Sequence, residues 1–143
     1  MPHAPLSRIV ADLPVSVPFV GPESLSRSRG RPFKARIGAN ESVFGPSPNA
    51  IAAMREAVSG NWMYGDPENF DLKAELAAFH GIAPANIAVG EGIDALLGYT
   101  VRMFIEPGDP VVSSLGGYPT FAFHVAGNGG RLVTVPYRND RED

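Results

Sequence analysis

The stretch from Ile87 to Val135 constrains the fold more than any other part of the chain, because it repeats strand, glycine turn and helix. Ile87-Ala88-Val89 is a short apolar run, followed by Gly90-Glu91-Gly92 and a helical pattern to about Ile105, with Ile93, Leu96, Leu97, Val101 and Phe104 inward. Pro107-Gly108-Asp109 makes a turn, and Val111 to Leu115 reads as a second strand. A further helix spans Pro119 to Ala126, Gly127-Asn128-Gly129-Gly130 breaks it, and Arg131 to Val135 reads as a third strand. Strands that alternate with helices of about 10–15 residues pair in parallel, which predicts an α/β architecture. Both faces of such a sheet need cover, and ligands gather beyond the carboxyl ends of its strands. Residues 90–94 and 115–121 therefore carry the interest.

Two helices precede this unit. Pro46-Ser47-Pro48 leads into Asn49 to Val58, where Ile51, Met54 and Val58 share a face and Gly60 follows. Proline at a helix start and glycine past its end is the expected asymmetry. The second helix runs from about Asn69 to His80, with Leu72, Leu76 and Phe79 as its apolar stripe, Lys73 and Glu75 on the solvated side, and Gly81 closing it. Residues 1–36 read instead as an extended, partly disordered N-terminal arm. Six prolines punctuate it, from Pro2 to Pro32, and each fixes φ and removes a backbone donor. The alternative is an arm that wraps a neighbouring subunit.

Composition excludes several functions. The chain of 143 residues has a net charge of -3 and no basic stripe, so nucleic acid is not an expected partner. It has no cysteine, which removes disulfides, thiolate zinc sites and thiol nucleophiles together. His3, His80 and His124 show no metal-ligand spacing, so no metal site is expected. No apolar run approaches the length of a membrane span, and the N-terminus lacks the pattern of a secretory signal. A cytoplasmic location is the expectation.

Four segments carry candidate chemistry. At Gly90-Glu91-Gly92-Ile93-Asp94 a strand passes into a helix whose first N–H groups have no acceptor behind them, a natural seat for a phosphate dianion. A plain strand-to-helix turn explains the same residues. At Leu115-Gly116-Gly117-Tyr118-Pro119-Thr120-Phe121 an aromatic ring is placed to lie on a planar heteroaromatic ligand, although Tyr118 and Phe121 equally suit the core. Trp62-Met63-Tyr64-Gly65-Asp66-Pro67 is an aromatic turn between two helices, and its rings also suit a domain junction. Asn40-Glu41-Ser42-Val43-Phe44-Gly45-Pro46-Ser47-Pro48 sets polar side chains ahead of a helix and alone says little.

Taken in order, these pieces resemble the N-terminal part of class I/II aminotransferases of fold type I that use pyridoxal 5'-phosphate, of the histidinol-phosphate aminotransferase kind. The Asn40–Pro48 segment resembles the family's N-E-N-P-F-G-P-S-P. Tyr64-Gly65-Asp66-Pro67 is similar to Y-P-D-P, and Gly90 to Ala95 is similar to G-N-G-S-D-E. Pro107 to Val111 matches P-G-D-x-V, and Tyr118-Pro119-Thr120-Phe121, then Gly129-Gly130 and Val135-Pro136, follow as in the family. The match covers about residues 36 to 138. It implies a fold type I aminotransferase large domain over residues 37–143, with the arm before it.

The resemblance further implies that the amides of Gly92, Ile93 and Asp94 hold the cofactor phosphate, and that Tyr118 stacks on the pyridine ring. Tyr64 would reach the cofactor phosphate of the partner subunit in a homodimer, and Asn40 would border the substrate pocket. The implied substrates are an amino acid or amino-alcohol phosphate and a 2-oxo acid. Glu91 where the family often has Asn, Ile93 in place of a small residue, and Ser42-Val43 in place of Asn-Pro mark a divergent subgroup.

The Schiff-base lysine of the family has no counterpart here. The lysines present are Lys34, in the proline-rich arm, and Lys73, on a polar helix face. Neither position offers the desolvated amine that such a role requires, so no catalytic residue is assigned. The end at Asp143 reads as a loop entering another helix. A truncated chain, inactive by itself, is the expectation. The alternatives are a non-catalytic remnant or interaction protein that dimerises with a full-length aminotransferase, and an α/β module for another phosphate ligand.

Overall fold

A computed structural model of the protein describes residues 5–14, 19–38 and 41–138. The chain divides into two compact units, Met1–Phe19 with Ala88–Asp143, and Val20–Ile87.

In the first unit the chain builds strand, crossover helix, strand. Strand β1, Pro110–Ser114, pairs in parallel with β2, Arg131–Val135, in a register that sets Val111 opposite Leu132 and Ser114 opposite Val135. Parallel neighbours need a crossover, and α6, Pro119–Gly127, supplies it. Helix α5, Gly92–Phe104, packs on α6. Val101, Val111 and Val125 form the buried centre, with Ile105, Phe121 and Leu132 packed around them. Each fully buried valine contributes roughly 1.5 kcal/mol or more relative to exposure. The turn at 107–109 is pinned from several sides. Asp109 Oδ2 accepts from the Glu106 amide at 2.9 Å, Gly108 N–H donates to Gly129 O at 2.8 Å, and Arg131 N–H donates to Asp109 O at 2.8 Å. A short helix α1, Arg8–Ala11, is capped by Ser7 and packs near α6.

In the second unit, α2 (Pro22–Arg29) starts on a proline and ends at Gly30 with φ 67°. Helix α3 (Pro48–Ala57) is capped by Ser47, whose hydroxyl accepts from the Ala50 amide at 3.2 Å, and runs on into a 3₁₀ turn, Val58–Gly60. Helix α4 (Phe70–His80) ends at Gly81, also left-handed, with φ 66°. Arg36 donates to both Glu23 and Glu41, fastening the start of α2 to the segment ahead of α3.

Three expectations need correcting. Among the described residues the strands are β1 and β2 alone. Residues 87–89 are not a strand, although Ile87 is extended. An extended segment becomes a strand only when a neighbour takes its amides and carbonyls. Second, the stretch read as an extended arm contains α1 and α2. Pro22 at the start of α2 and Gly30 at its end punctuate a short helix rather than prevent one. Third, the apolar stripes do not all face inward. Leu72, Phe79, Ile93 and Phe104 are exposed, whereas Ala77 is buried and Lys73 half-buried. Periodicity marks the side chains that can be covered. On α5, Leu96, Leu97 and Val101 find cover where the helix packs on α6, and Val101 joins Val111 and Val125 in the core.

Candidate functional site

The site of interest is the start of α5. Gly90 O accepts from Gly92 N–H at 2.8 Å, and Glu91 between them has φ -76° and ψ 58°, which makes an inverse γ-turn. Gly92 follows with φ 82°, a left-handed value that costs an L-residue about 1–2 kcal/mol. Glu91 is the N-cap residue, yet its side chain makes no capping bond. The next amides, Ile93 and Asp94, lie in the first turn, where no helix carbonyl stands behind them. The sequence expectation counted three amides for an anion. The turn occupies that of Gly92, so Ile93 and Asp94 supply the open donors.

Side chains around this end are held by partners. The Tyr99 hydroxyl donates to Glu91 Oε2 at 2.9 Å. The Glu91 carboxyl is held below its usual value, first by its own backbone N–H and then by Tyr99, while the carboxylate raises the Tyr99 phenol. Asp94 Oδ1 lies 3.0 Å from His124 Nε2 on α6. The two helices approach closely there, for a methyl at Gly98 would stand 2.9 Å from His124 Cε1. The Ile93 side chain points into solvent, so it does not block the amides by burial against the protein.

Tyr118 is the N-cap residue of α6 and is half-exposed, whereas Phe121 packs on the core. Of the two aromatics, Tyr118 is thus the one available to a ligand. It follows the carboxyl end of β1, and α6 packs on α5, so Tyr118 and the Ile93–Asp94 amides belong to one folded unit. Thr120, in the first turn of α6, is buried, and its hydroxyl has no hydrogen-bond partner among the described residues. Beside the strand ends, Tyr137 Oη donates to Ser114 Oγ at 3.3 Å.

The remaining candidates lie elsewhere. Tyr64 is in the second unit, in the loop before α4, and fully exposed. Asn40 lies outside the described residues. Lys34 is exposed, and Lys73 lines a shallow depression with Glu68, Phe70, Ala74, Pro84 and Ala85. Among the described residues no group of three or more His, Asp or Glu could hold a metal, and no helix is long and apolar enough to cross a membrane.

Sequence reasoning missed two contacts at this site. Glu91 is the residue before α5 and Tyr99 lies about two turns into it, so the two are close in sequence, but the non-helical ψ of Glu91 takes it off the helical pattern and spacing alone does not announce the contact. Asp94 and His124 are thirty residues apart, and nothing local announces their meeting.

The family model for aminotransferase class I and II matches residues 34–143. The chain is 34% identical over 121 residues to the histidinol-phosphate aminotransferase of Moorella thermoacetica, covering 85% of this chain and 31% of that protein. It is 33% identical over 133 residues to the one from Roseiflexus castenholzii, covering 89% and 36%. Its fold superimposes with a TM-score of 0.91 on the crystal structure of the Sinorhizobium meliloti histidinol-phosphate aminotransferase in complex with pyridoxal-5'-phosphate, at 58% identity over 99% of this chain and 38% of that one. The chain thus spans about a third of the length of the curated relatives it matches. With a family match across most of its length, the chain belongs to the class I and II aminotransferases.

Proposed function

We propose that this chain supplies the cofactor-phosphate seat of a pyridoxal-phosphate-dependent aminotransferase that moves an amino group between an amino acid or amino-alcohol phosphate and a 2-oxo acid. The observation that carries the reading is the start of α5, which has an inverse γ-turn, a left-handed Gly92, an N-cap residue that leaves the amides uncapped, and Tyr118 on the helix packed against it. The S. meliloti protein in complex with that cofactor supports it.

The residues fit the group. The Ile93 and Asp94 amides would donate to phosphate oxygens at the positive end of the helix dipole, and Tyr118 would lie on the ring. The left-handed Gly92 follows the turn and opens the helix ahead of those amides. The His124 contact holds the Asp94 carboxylate to one side. When bound, the cofactor supplies an electron sink for chemistry at the α-carbon of an amino acid.

The same reading gives Tyr64 to the cofactor phosphate of the partner subunit in a homodimer and Asn40 to the edge of the substrate pocket. It keeps residues 1–36 as an arm and residues 37–143 as the first part of the aminotransferase domain, in the cytoplasm. Neither Lys34 nor Lys73 serves as the Schiff-base lysine, so this stretch alone does not transaminate.

Titration with pyridoxal 5'-phosphate, pyridoxal and inorganic phosphate tests the proposal. The phosphate ester should bind best, and inorganic phosphate should compete with it. Equal binding of pyridoxal and its phosphate ester would refute the assigned seat.

A further inference from the structure

The Glu91 carboxylate is the group best placed to spoil an anion site at α5, and the structure shows what restrains it. Tyr99 stands seven residues past Gly92 on the same helix, about 10 Å along the axis at 1.5 Å per residue. Its side chain reaches back toward the helix start, and its hydroxyl donates to Glu91 Oε2 at 2.9 Å; with that bond and one from its own backbone N–H, the carboxylate makes no capping bond to the amides of the first turn. The turn itself folds onto the helix. A methyl at Gly90 would stand 3.0 Å from Leu96 Cδ2 and 3.3 Å from Tyr99 Cε2. Released from the phenol, an N-cap carboxylate is drawn toward the unpaired amides and the positive end of the helix dipole. There it would occupy the donors and repel a phosphate dianion.

We propose that Tyr99 is a positioning residue that holds the Glu91 carboxylate off the anion seat formed by the Ile93 and Asp94 amides. The inference rests on the reading of that seat as a phosphate site. It explains how a chain with Glu91 at the N-cap of α5 keeps this end open. The bond is strongest with the carboxyl ionised and the phenol protonated, the pairing that the lowered Glu91 and raised Tyr99 values favour.

The test uses the complete natural protein, freed of cofactor, as four forms: unaltered, Tyr99→Phe, Glu91→Gln, and both changes together. Calorimetry reads the binding of pyridoxamine 5'-phosphate, with pyridoxamine as the control that lacks the phosphate. Tyr99→Phe should weaken the phosphate ester about three- to tenfold, as one freed carboxylate near a dianion would, and leave pyridoxamine unchanged. In the Glu91→Gln background the same change should have no effect. Equal losses in both backgrounds, or no loss in either, would overturn the proposal.

Should the unaltered protein bind pyridoxamine as well as its phosphate ester, the phosphate reading of the seat fails, and the inference with it. A ligand-free readout checks the bond directly. In NMR of ring-labelled tyrosine, Glu91→Gln should bring Tyr99 ionisation to lower pH. An unchanged titration would mean that the carboxylate is not held by the phenol in solution, and would also overturn the proposal.

Discussion

Helices α4 and α5 each have a carboxylate at their start and use it differently. At α4 the Asp66 carboxylate accepts from the Phe70 amide, the first of the helix, at 2.8 Å and from the Glu68 amide ahead of it at 3.0 Å, while the N-cap Asn69 makes no side-chain cap bond. At α5 the carboxylate belongs to the N-cap residue itself, Glu91, and it goes to its own backbone N–H and to the Tyr99 hydroxyl rather than to the amides of the first turn. An acidic side chain near a helix start usually satisfies its amides. The difference lies in which group each carboxylate takes: Asp66 takes the first helix amide of α4, whereas the Glu91 carboxylate makes no capping bond to the amides of α5.

Breaking the open end should have the largest effect. Ile93→Pro removes one amide while leaving the helix start intact, since proline is accepted in the first turn and the preceding Gly92 is not in the α-region. Loss of a hydrogen bond to a charged group should weaken the phosphate ester about ten- to hundredfold. The measurement is calorimetric titration, with circular dichroism to show unchanged helix content.

Gly92→Ala comes next. A side chain at φ 82° should cost about 1–2 kcal/mol of stability, read by urea denaturation.

At the start of α4, Asp66→Ala should lower the melting temperature and leave phosphate-ester affinity unchanged. Its sign with pH is fixed. The backbone bonds from Phe70, then Glu68, hold the Asp66 carboxyl below its ordinary 3.8. The stabilisation is therefore present above that value and fades as the pH falls through the lower value of the folded protein. The variant and the parent should converge in melting temperature in acid.

The smallest effect belongs to Thr120→Val. Removing a buried hydroxyl with no partner among the described residues should change stability by less than about 1 kcal/mol. A larger loss would reveal a partner for that hydroxyl.

Much of the fold was legible because prolines and glycines mark helix ends by local geometry. Pro48 and Pro119 start α3 and α6, and Gly81 ends α4, all as read from the chain. The β1–α6–β2 unit followed from its turn residues and apolar runs. The absent strand at 87–89 and the exposed Phe79 and Phe104 were not legible, because cover and pairing are supplied by other parts of a fold. At the site, the glycines of residues 90–92 announced a tight turn. That the turn would occupy the Gly92 amide depended on the ψ of Glu91, which residue type does not dictate.

The contrast between the two helix starts can be read amide by amide. Nuclear magnetic resonance of the nitrogen-labelled protein, titrated with pyridoxamine 5'-phosphate, should show the largest shifts and the strongest gain in exchange protection at Ile93 and Asp94, with Phe70 unmoved. If those two amides stay where they are while the ligand binds, the phosphate is held elsewhere and the account of α5 is wrong.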